Sequence, residues 1–349
     1  MSGKLCTPLL DLAASAILLT GCAVGPKTPL ARQMGESVVF VGEEPAALAY
    51  LPVRGEPLLV RNTYLPDSNS VHSIEGRDFI VDYAAGTLRR TPDSHLPDFR
   101  TNVLYGQETF DHTRFPGFGN SGYFAFVDYT HAASAPWPAQ GSQRAYLRST
   151  EAKLKAGETV KIVAYGDSIT AGGDASKPEL IFWRRWAEAL QRRHPASRIT
   201  AVNGATGGDS TAQGLDRIET KVLSEKPDLV LLGFGMNDHN VMGVPIPQFE
   251  ANLTRMIARI RTEAGAEVIL FSAFPPNPKW KFGTHRMEEY AAATGRVARE
   301  TACAYADVFG NWQALAGRKK PEDLLGNNIN HPNDFGHGIY FQVFEALGL

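Results

Sequence analysis

With 349 residues, a formal net charge of −2 and 43% apolar residues, the chain has the make-up of an ordinary globular protein long enough for two domains. The near-neutral charge tells against a nucleic-acid binder, which shows a basic excess or stripe. No apolar run reaches the ~20 residues needed to span a bilayer.

The first residues differ from the rest. Lys4 precedes a short apolar segment, Leu12 to Leu19, which ends in Leu-Thr-Gly-Cys. A short apolar core followed by small residues reads as a secretory signal rather than a membrane helix. The tetrapeptide resembles a bacterial lipobox, which implies that residues 1–22 are a lipoprotein-type signal and that Cys22 becomes the lipidated first residue. The expected location is the cell envelope, on the periplasmic or surface face, with membrane contact only through that anchor; an ordinary signal would give a secreted chain. Of Cys6, Cys22 and Cys303, only Cys303 would remain after processing, so no internal disulfide is expected. Its setting, "TACAYADVF", reads as that of a buried small hydrophobe.

Residues 35–150 read as strands. "GRDFIVDYAAGTLRRTP" (Gly76 to Pro92) places Phe79, Val81 and Tyr83 on one face, then a Gly-containing turn, then a second run: a hairpin. "GYFAFVDYTH" (Gly122 to His131) alternates as well, with Tyr123, Val127 and Tyr129 on one side and Phe124 and Phe126 on the other. Without a stretch of helical period, this half is expected to be an all-β sandwich. "SAPWPAQGSQ" (Ser134 to Gln143) is the expected inter-domain loop.

Residues 158–349 alternate strand, loop and helix. "VKIVAY", "RITAVNG", "DLVLLGFG", "EVILFSAF" and "AYADVF" are five apolar runs of strand length. "SKPELIFWRRWAEALQRRH" carries Phe182, Trp186, Ala189 and Leu190 at helical spacing, and Ser176 with Glu179 reads as a capping box at its start. Two further helices follow over Thr211 to Lys226 and Pro247 to Gly265. Alternation of this kind implies a doubly wound α/β domain with a five-stranded parallel sheet and right-handed crossovers.

In open α/β sheets, ligands sit beyond the carboxyl ends of the strands. The first strand is followed by Gly166-Asp167-Ser168-Ile169-Thr170, the second by Asn203 to Ser210 ("NGATGGDS"), the third by Gly235-Met236-Asn237-Asp238. Near the C-terminus lies "NHPNDFGH", Asn330 to His337. Ser168 is a candidate nucleophile, and a serine hydroxyl is weak unless a base takes its proton. His331 is the candidate base, since a histidine titrates near neutrality. Attack on an ester carbonyl creates an oxyanion, which needs donors fixed where the charge develops. The backbone N–H groups of Ser168 and Gly208 and the Asn237 amide could supply three, with Gly204 or Gly207 as alternatives to Gly208. His239 and His337 read as packing or surface groups, and Asp167 as an acceptor for backbone N–H groups of the turn. No HExxH string or helix-face histidine pair suggests a metal, and no cofactor is expected.

These four motifs, in this order, resemble the SGNH (GDSL-type) hydrolases over Glu158 to Leu349. The resemblance implies a serine esterase with a three-layer α/β hydrolase domain, and it assigns the same roles to Ser168, Gly208, Asn237 and His331. It departs from the family at one point. An aspartate usually stands three residues before the histidine, where this chain has Asn328. That residue normally holds the imidazole tautomer and stabilises the imidazolium, and an uncharged amide can do only the first. Asn328 or a main-chain carbonyl could orient His331; Asp323, Glu322 or Asp334 could substitute; or the site could bind without hydrolysing.

The catalytic set, the export signal and the β domain together lead to an expected O-deacetylase of a polysaccharide or glycan. A general short-chain esterase or lysophospholipase, and a non-catalytic glycan-binding lipoprotein, are the alternatives. "FPGFGNSGYF" (Phe115 to Phe124) offers aromatics that could stack on sugar rings or simply fill the sandwich core.

Overall fold

A computed structural model describes residues 29–132 and 138–349. The signal segment with Cys22, and residues 133–137, which include the start of the expected inter-domain loop, lie outside the described residues.

Among the described residues, seven strands make the N-terminal part: β1 (Leu30–Val39), β2 (Ala46–Ala47), β3 (Leu59–Arg61), β4 (His72–Ser73), β5 (Phe79–Asp82), β6 (Thr87–Arg90) and β7 (Phe124–Ala132). They form two antiparallel sheets, ordered β1-β7-β3-β4 and β2-β6-β5. The expected hairpin is β5–β6, with Val81 opposite Leu88. Phe79 and Val81 point inward while Ile80 and Asp82 face solvent, as a strand of period two requires. Val38, Val60, Val127 and Tyr129 from one sheet meet Phe79 and Leu88 from the other in the sandwich core.

The opposite face of β7 is buried too. Phe124 and Phe126, with Val39, Tyr64 and Phe99, join the large core of the C-terminal part. The two domains therefore share a hydrophobic core rather than being joined by a bare linker. A buried ion cluster pins the seam. Lys319 Nζ lies 2.9 Å from Glu36 Oε1 and 3.6 Å from Asp323 Oδ2. Asp323 Oδ1 also accepts from Val39 N–H at 2.7 Å.

The C-terminal sheet contains β8 (Thr159–Gly166), β9 (Arg198–Asn203), β10 (Leu229–Gly233), β11 (Glu267–Phe271) and β12 (Ala304–Ala306), all parallel, in the order β12-β11-β10-β8-β9. Every residue of the central β10 is buried, as expected for a strand covered on both faces. The helices are α1 (Arg148–Ala156), α2 (Ser168–Ala171), α3 (Phe182–Arg193), α4 (Thr211–Lys221), α5 (Ile246–Arg259), α6 (Met287–Glu300), α7 (Val308–Ala316), α8 (Pro321–Leu324) and α9 (Asp334–Glu345). α4, α5 and α6 neighbour one another, as do α3, α9 and α7, so the sheet lies between two helical layers. α1 packs on β8, and its Ser149 and Thr150 N–H groups donate to the Glu267 carboxylate, each at 2.8 Å.

One helix start differs from the sequence expectation. No capping box forms at Ser176. Its N–H and hydroxyl donate instead to the Asp334 carboxylate at 2.8 and 2.6 Å. A 3₁₀ turn follows over Pro178–Leu180, and α3 begins only at Phe182. Asp334 has the same donors to satisfy as a cap would, but it reaches them from the first turn of α9. The capping box belongs to Ser210 and Gln213 at the start of α4.

Candidate active site

The sheet order places β8 beside β10, with β9 turning back on the other side of β8. That reversal opens a crevice at the carboxyl end of β8. Ser168 stands there as the first residue of α2, with Asp167 as N-cap accepting from Ile169 N–H at 2.9 Å. Asp167 is buried, and desolvation pushes its carboxyl up to about 7. Its place is that of a turn acceptor, as expected.

His331 reaches the same crevice from the loop before α9. The side-chain oxygen of Asn327 accepts the N–H groups of Ile329, Asn330 and His331, each at 2.9 Å. Gly326 N–H donates to the His331 carbonyl at 2.9 Å, and Asn277 N–H to the Ile329 carbonyl at 2.7 Å. A loop held by so many bonds presents its imidazole at a fixed angle. His331 Nε2 lies 2.9 Å from Ser168 Oγ, within reach of the hydroxyl proton.

The other ring nitrogen meets a residue that sequence reasoning missed. His331 Nδ1 lies 3.0 Å from Asp174 Oδ2, across 157 positions of the chain. Asp174 comes six residues after Ser168, in the turn that follows α2. Its φ of +57° is a left-handed conformation that aspartate tolerates better than most residues. Two glycines make the approach feasible. A Cβ at Gly173 would stand 2.7 Å from His331 Nδ1, and one at Gly326 would stand 2.4 Å from Asp174 Cβ. The Gly-Gly-Asp string so close behind Ser168 was the available signal.

Asn328, expected behind the imidazole, is engaged elsewhere. It is fully buried, and its amide donates to the Phe118 carbonyl at 2.8 Å while its own carbonyl accepts from Asn277 Nδ2 at 2.8 Å. The physical reason is its backbone: a φ of +58° turns this residue toward the β-domain loop over residues 118–120. The three acids nearest in sequence do not orient the ring either. Asp323 belongs to the inter-domain ion cluster, the Glu322 carboxylate lies 4.0 Å from Lys279, and Asp334 holds Ser176.

The loop that carries Gly207 and Gly208 passes beside Ser168, and Asn237 is bonded to the same loop. Gly208 is exposed, with φ +81°, and a Cβ there would meet nothing within 4 Å. Gly207 lies against Ser168, where a Cβ would stand 3.7 Å from Ser168 Cβ. Asn237 is half-buried and donates to the Asp209 carbonyl at 2.9 Å, which fixes its amide plane. Its neighbour Asp238 is buried, accepts from Thr211 N–H at 2.9 Å and from the Thr211 hydroxyl at 2.5 Å, and is pushed up to about 6 by desolvation. That carboxyl ties the third motif to the start of α4, and so to the loop carrying Gly208.

His239 and His337 are buried packing groups. His239 Nδ1 sits 2.6 Å from the Met236 carbonyl. His337 stacks on Phe182, and its Nε2–H donates to the Gly173 carbonyl at 3.2 Å. Burial pushes it down to about 4, so it stays neutral and braces the turn that carries Asp174. Cys303 is buried, and burial raises its thiol.

Comparison with known proteins adds a lineage to this geometry. Residues 164–339 match the model of the GDSL-like Lipase/Acylhydrolase family. The chain is 31% identical over 158 residues to the Esterase TesA of Pseudomonas aeruginosa, covering 44% of this chain and 72% of that protein. It is 22% identical to the Acetylxylan esterase of Geobacillus stearothermophilus, over 55% of this chain and 94% of that one. Among solved structures, a two-domain esterase active on acetylated mannans superposes with a TM-score of 0.50 at 25% identity, over 60% of this chain. This chain spans about half of that structure, 53%.

Proposed function

The chain belongs to the GDSL-like lipase/acylhydrolase family, and on that premise we propose that it is a serine esterase that removes O-acetyl groups from a polysaccharide or other glycan through an acyl-Ser168 intermediate. One observation carries the reading: Ser168 Oγ, the His331 ring and the Asp174 carboxylate stand in line at 2.9 and 3.0 Å.

Each step uses a group already in place. His331 Nε2 takes the proton of Ser168 Oγ as that oxygen attacks the ester carbonyl. The Asp174 carboxylate accepts the Nδ1–H and stabilises the imidazolium that forms. The oxyanion is met by the N–H groups of Ser168 and Gly208 and by the Asn237 proton not committed to Asp209. His331 then returns its proton to the sugar oxygen, which leaves as an alcohol. In the second half the imidazole takes a proton from water, the resulting hydroxide attacks the acyl-serine, and acetate departs as Ser168 is reprotonated.

The substrate class rests on the relatives named for acetylated xylan and mannan and on the β domain. A second reading is a general short-chain esterase or lysophospholipase, and the similarity to Esterase TesA favours its esterase part. The Leu19–Cys22 string supports export and a lipid anchor at Cys22. Acetate release from acetylated xylan and acetylated mannan, set against hydrolysis of long-chain lipid esters, tests the assignment. Activity confined to the lipid esters would reject the glycan reading. Failure of a fluorophosphonate to label Ser168 in folded protein would reject the esterase reading altogether and leave a glycan-binding lipoprotein.

A further inference from the structure

Resting on the reading that the substrate is an acylated glycan, we propose that the β domain and the hydrolase domain jointly build a sugar-binding subsite beside the catalytic crevice. It takes the pyranose units that flank the acylated one.

A β-domain loop between Phe99 and Tyr123 leaves the sandwich and is zipped to the loop over residues 277–284 of the hydrolase domain. Phe110 N–H donates to the Lys279 carbonyl at 2.9 Å, and Lys281 N–H to the Phe110 carbonyl at 3.1 Å. Where they meet, Phe115, Phe118 and Phe282 are half-buried over a core of Leu104, Phe110, Trp280 and Ile329. His112 joins the rings. It lies 5.6 Å from Phe118 and 5.7 Å from Phe282, and its Nδ1 accepts from the Trp280 indole at 3.1 Å.

Both ends of this aromatic strip touch the catalytic loops. At one end the Phe118 carbonyl holds Asn328, and Asn120 N–H donates to the Gly326 carbonyl at 2.7 Å, next to Asp174 and His331. At the other end the Phe282 carbonyl accepts from Val241 N–H at 3.1 Å, in the loop that follows Asn237. The strip is therefore bonded at one end to the loop of the base and at the other to the loop that follows the proposed oxyanion donor.

Beside it lies a cavity of about 490 Å³ lined by Gln107, Asp111, Arg114, Phe115 and Lys281, among others. Lys281 and Asp111 pair at 2.7 Å. Arg114 is exposed and holds no ion pair among the described residues. An acyl chain calls for a continuous apolar groove. A pyranose has a C–H face and a rim of hydroxyls, and it fits the Phe115 ring adjoining the Gln107 amide, the Asp111 carboxylate and the Arg114 guanidinium. The occupant that matches both halves of this surface is a sugar.

The test compares Arg114→Ala and Phe115→Ala with the wild type on acetylated xylo- and manno-tetraose and on p-nitrophenyl acetate. The expected result is a KM raised about tenfold on the tetraoses, with kcat nearly unchanged and p-nitrophenyl acetate hydrolysed as before. Arg114→Ala alters only an exposed side chain, so it keeps the test alive should Phe115→Ala fold poorly. In parallel, Ser168→Ala protein should bind unsubstituted xylotetraose or mannotetraose in a calorimeter, and Arg114→Ala in that background should weaken it. Equal losses on both kinds of substrate, or unaltered KM and binding in both variants, overturn the subsite and leave the deacetylase reading standing. A wild type that hydrolyses p-nitrophenyl acetate but neither tetraose overturns the glycan reading, and the subsite with it.

Discussion

Replacing Asp174 by asparagine removes a charge from behind the imidazole while nearly preserving shape. The charge acts mainly once His331 becomes an imidazolium, so its loss should fall on kcat and leave KM nearly unaltered. The pair is separated by 3.0 Å, with side-chain exposures of 24% for His331 and 37% for Asp174. An effective dielectric of about 40, between the near-surface value of about 20 and that of water, gives about 3 kcal/mol at that distance. That corresponds to about a hundredfold loss in kcat. It is smaller than the roughly 10⁴-fold loss in serine proteases, whose buried acid is shielded from water. Steady-state hydrolysis of p-nitrophenyl acetate near neutral pH reads the effect, with circular dichroism to show that the variant folds. Adding Asn328→Asp to the same variant restores a carboxylate at the family's usual position. It should not rescue, because that side chain faces the Phe118 carbonyl rather than the ring. A kcat for Asp174→Asn within about threefold of wild type, or recovery in the double variant, would refute the reasoning.

Other expectations follow from the same geometry. Asn237→Ala should lose about 2.7–4 kcal/mol of transition-state stabilisation, seen as a fall in kcat of roughly a hundredfold or more; a change in KM alone would remove Asn237 from the oxyanion site. Gly173→Ala would put a methyl 2.7 Å from His331 Nδ1. It should depress kcat strongly while the melting temperature moves little, and normal activity would show that the ring needs no such close fit. The pH dependence of stability carries a sign that can be checked at His337, which burial holds at about 4. Between there and the ordinary histidine value near 6.5, the unfolded chain binds a proton that the folded chain refuses. This residue therefore costs stability as the pH falls through that window, about 3 kcal/mol by its lower end. Asp167 and Asp238, raised to about 7 and about 6, act with the opposite sign because the folded state binds their protons more tightly. They are common to wild type and His337→Asn, so urea melts near pH 7 and pH 4.5 isolate the histidine. The variant should lose less on acidification, and equal losses would contradict the assignment.

Much of this molecule could be read from local pattern. Period-two alternation placed the hairpin of β5 and β6, because one sheet face is buried and the other wet. The apolar run of β10 marked it as a strand, and in the fold both its faces are covered. Ser168 and His331 stood out because chemistry confines a nucleophile and a base to strand ends and their loops. Those are properties of a few consecutive residues.

What stands behind His331 is not such a property. A carboxylate serves the imidazole wherever its oxygen comes within about 3 Å of the ring nitrogen, whatever its distance along the chain. The chain meets that condition with Asp174, at the far end of the domain's sequence, and turns Asn328 away toward the β domain. The same holds for the capping box that did not form at Ser176, whose donors a carboxylate on α9 claims first. It holds also for β7, whose alternation revealed two faces but not that Phe124 and Phe126 enter the hydrolase core. Sequence spacing sets which side a residue faces; only the folded chain decides what waits on that side, because contacts between distant segments follow from packing the whole.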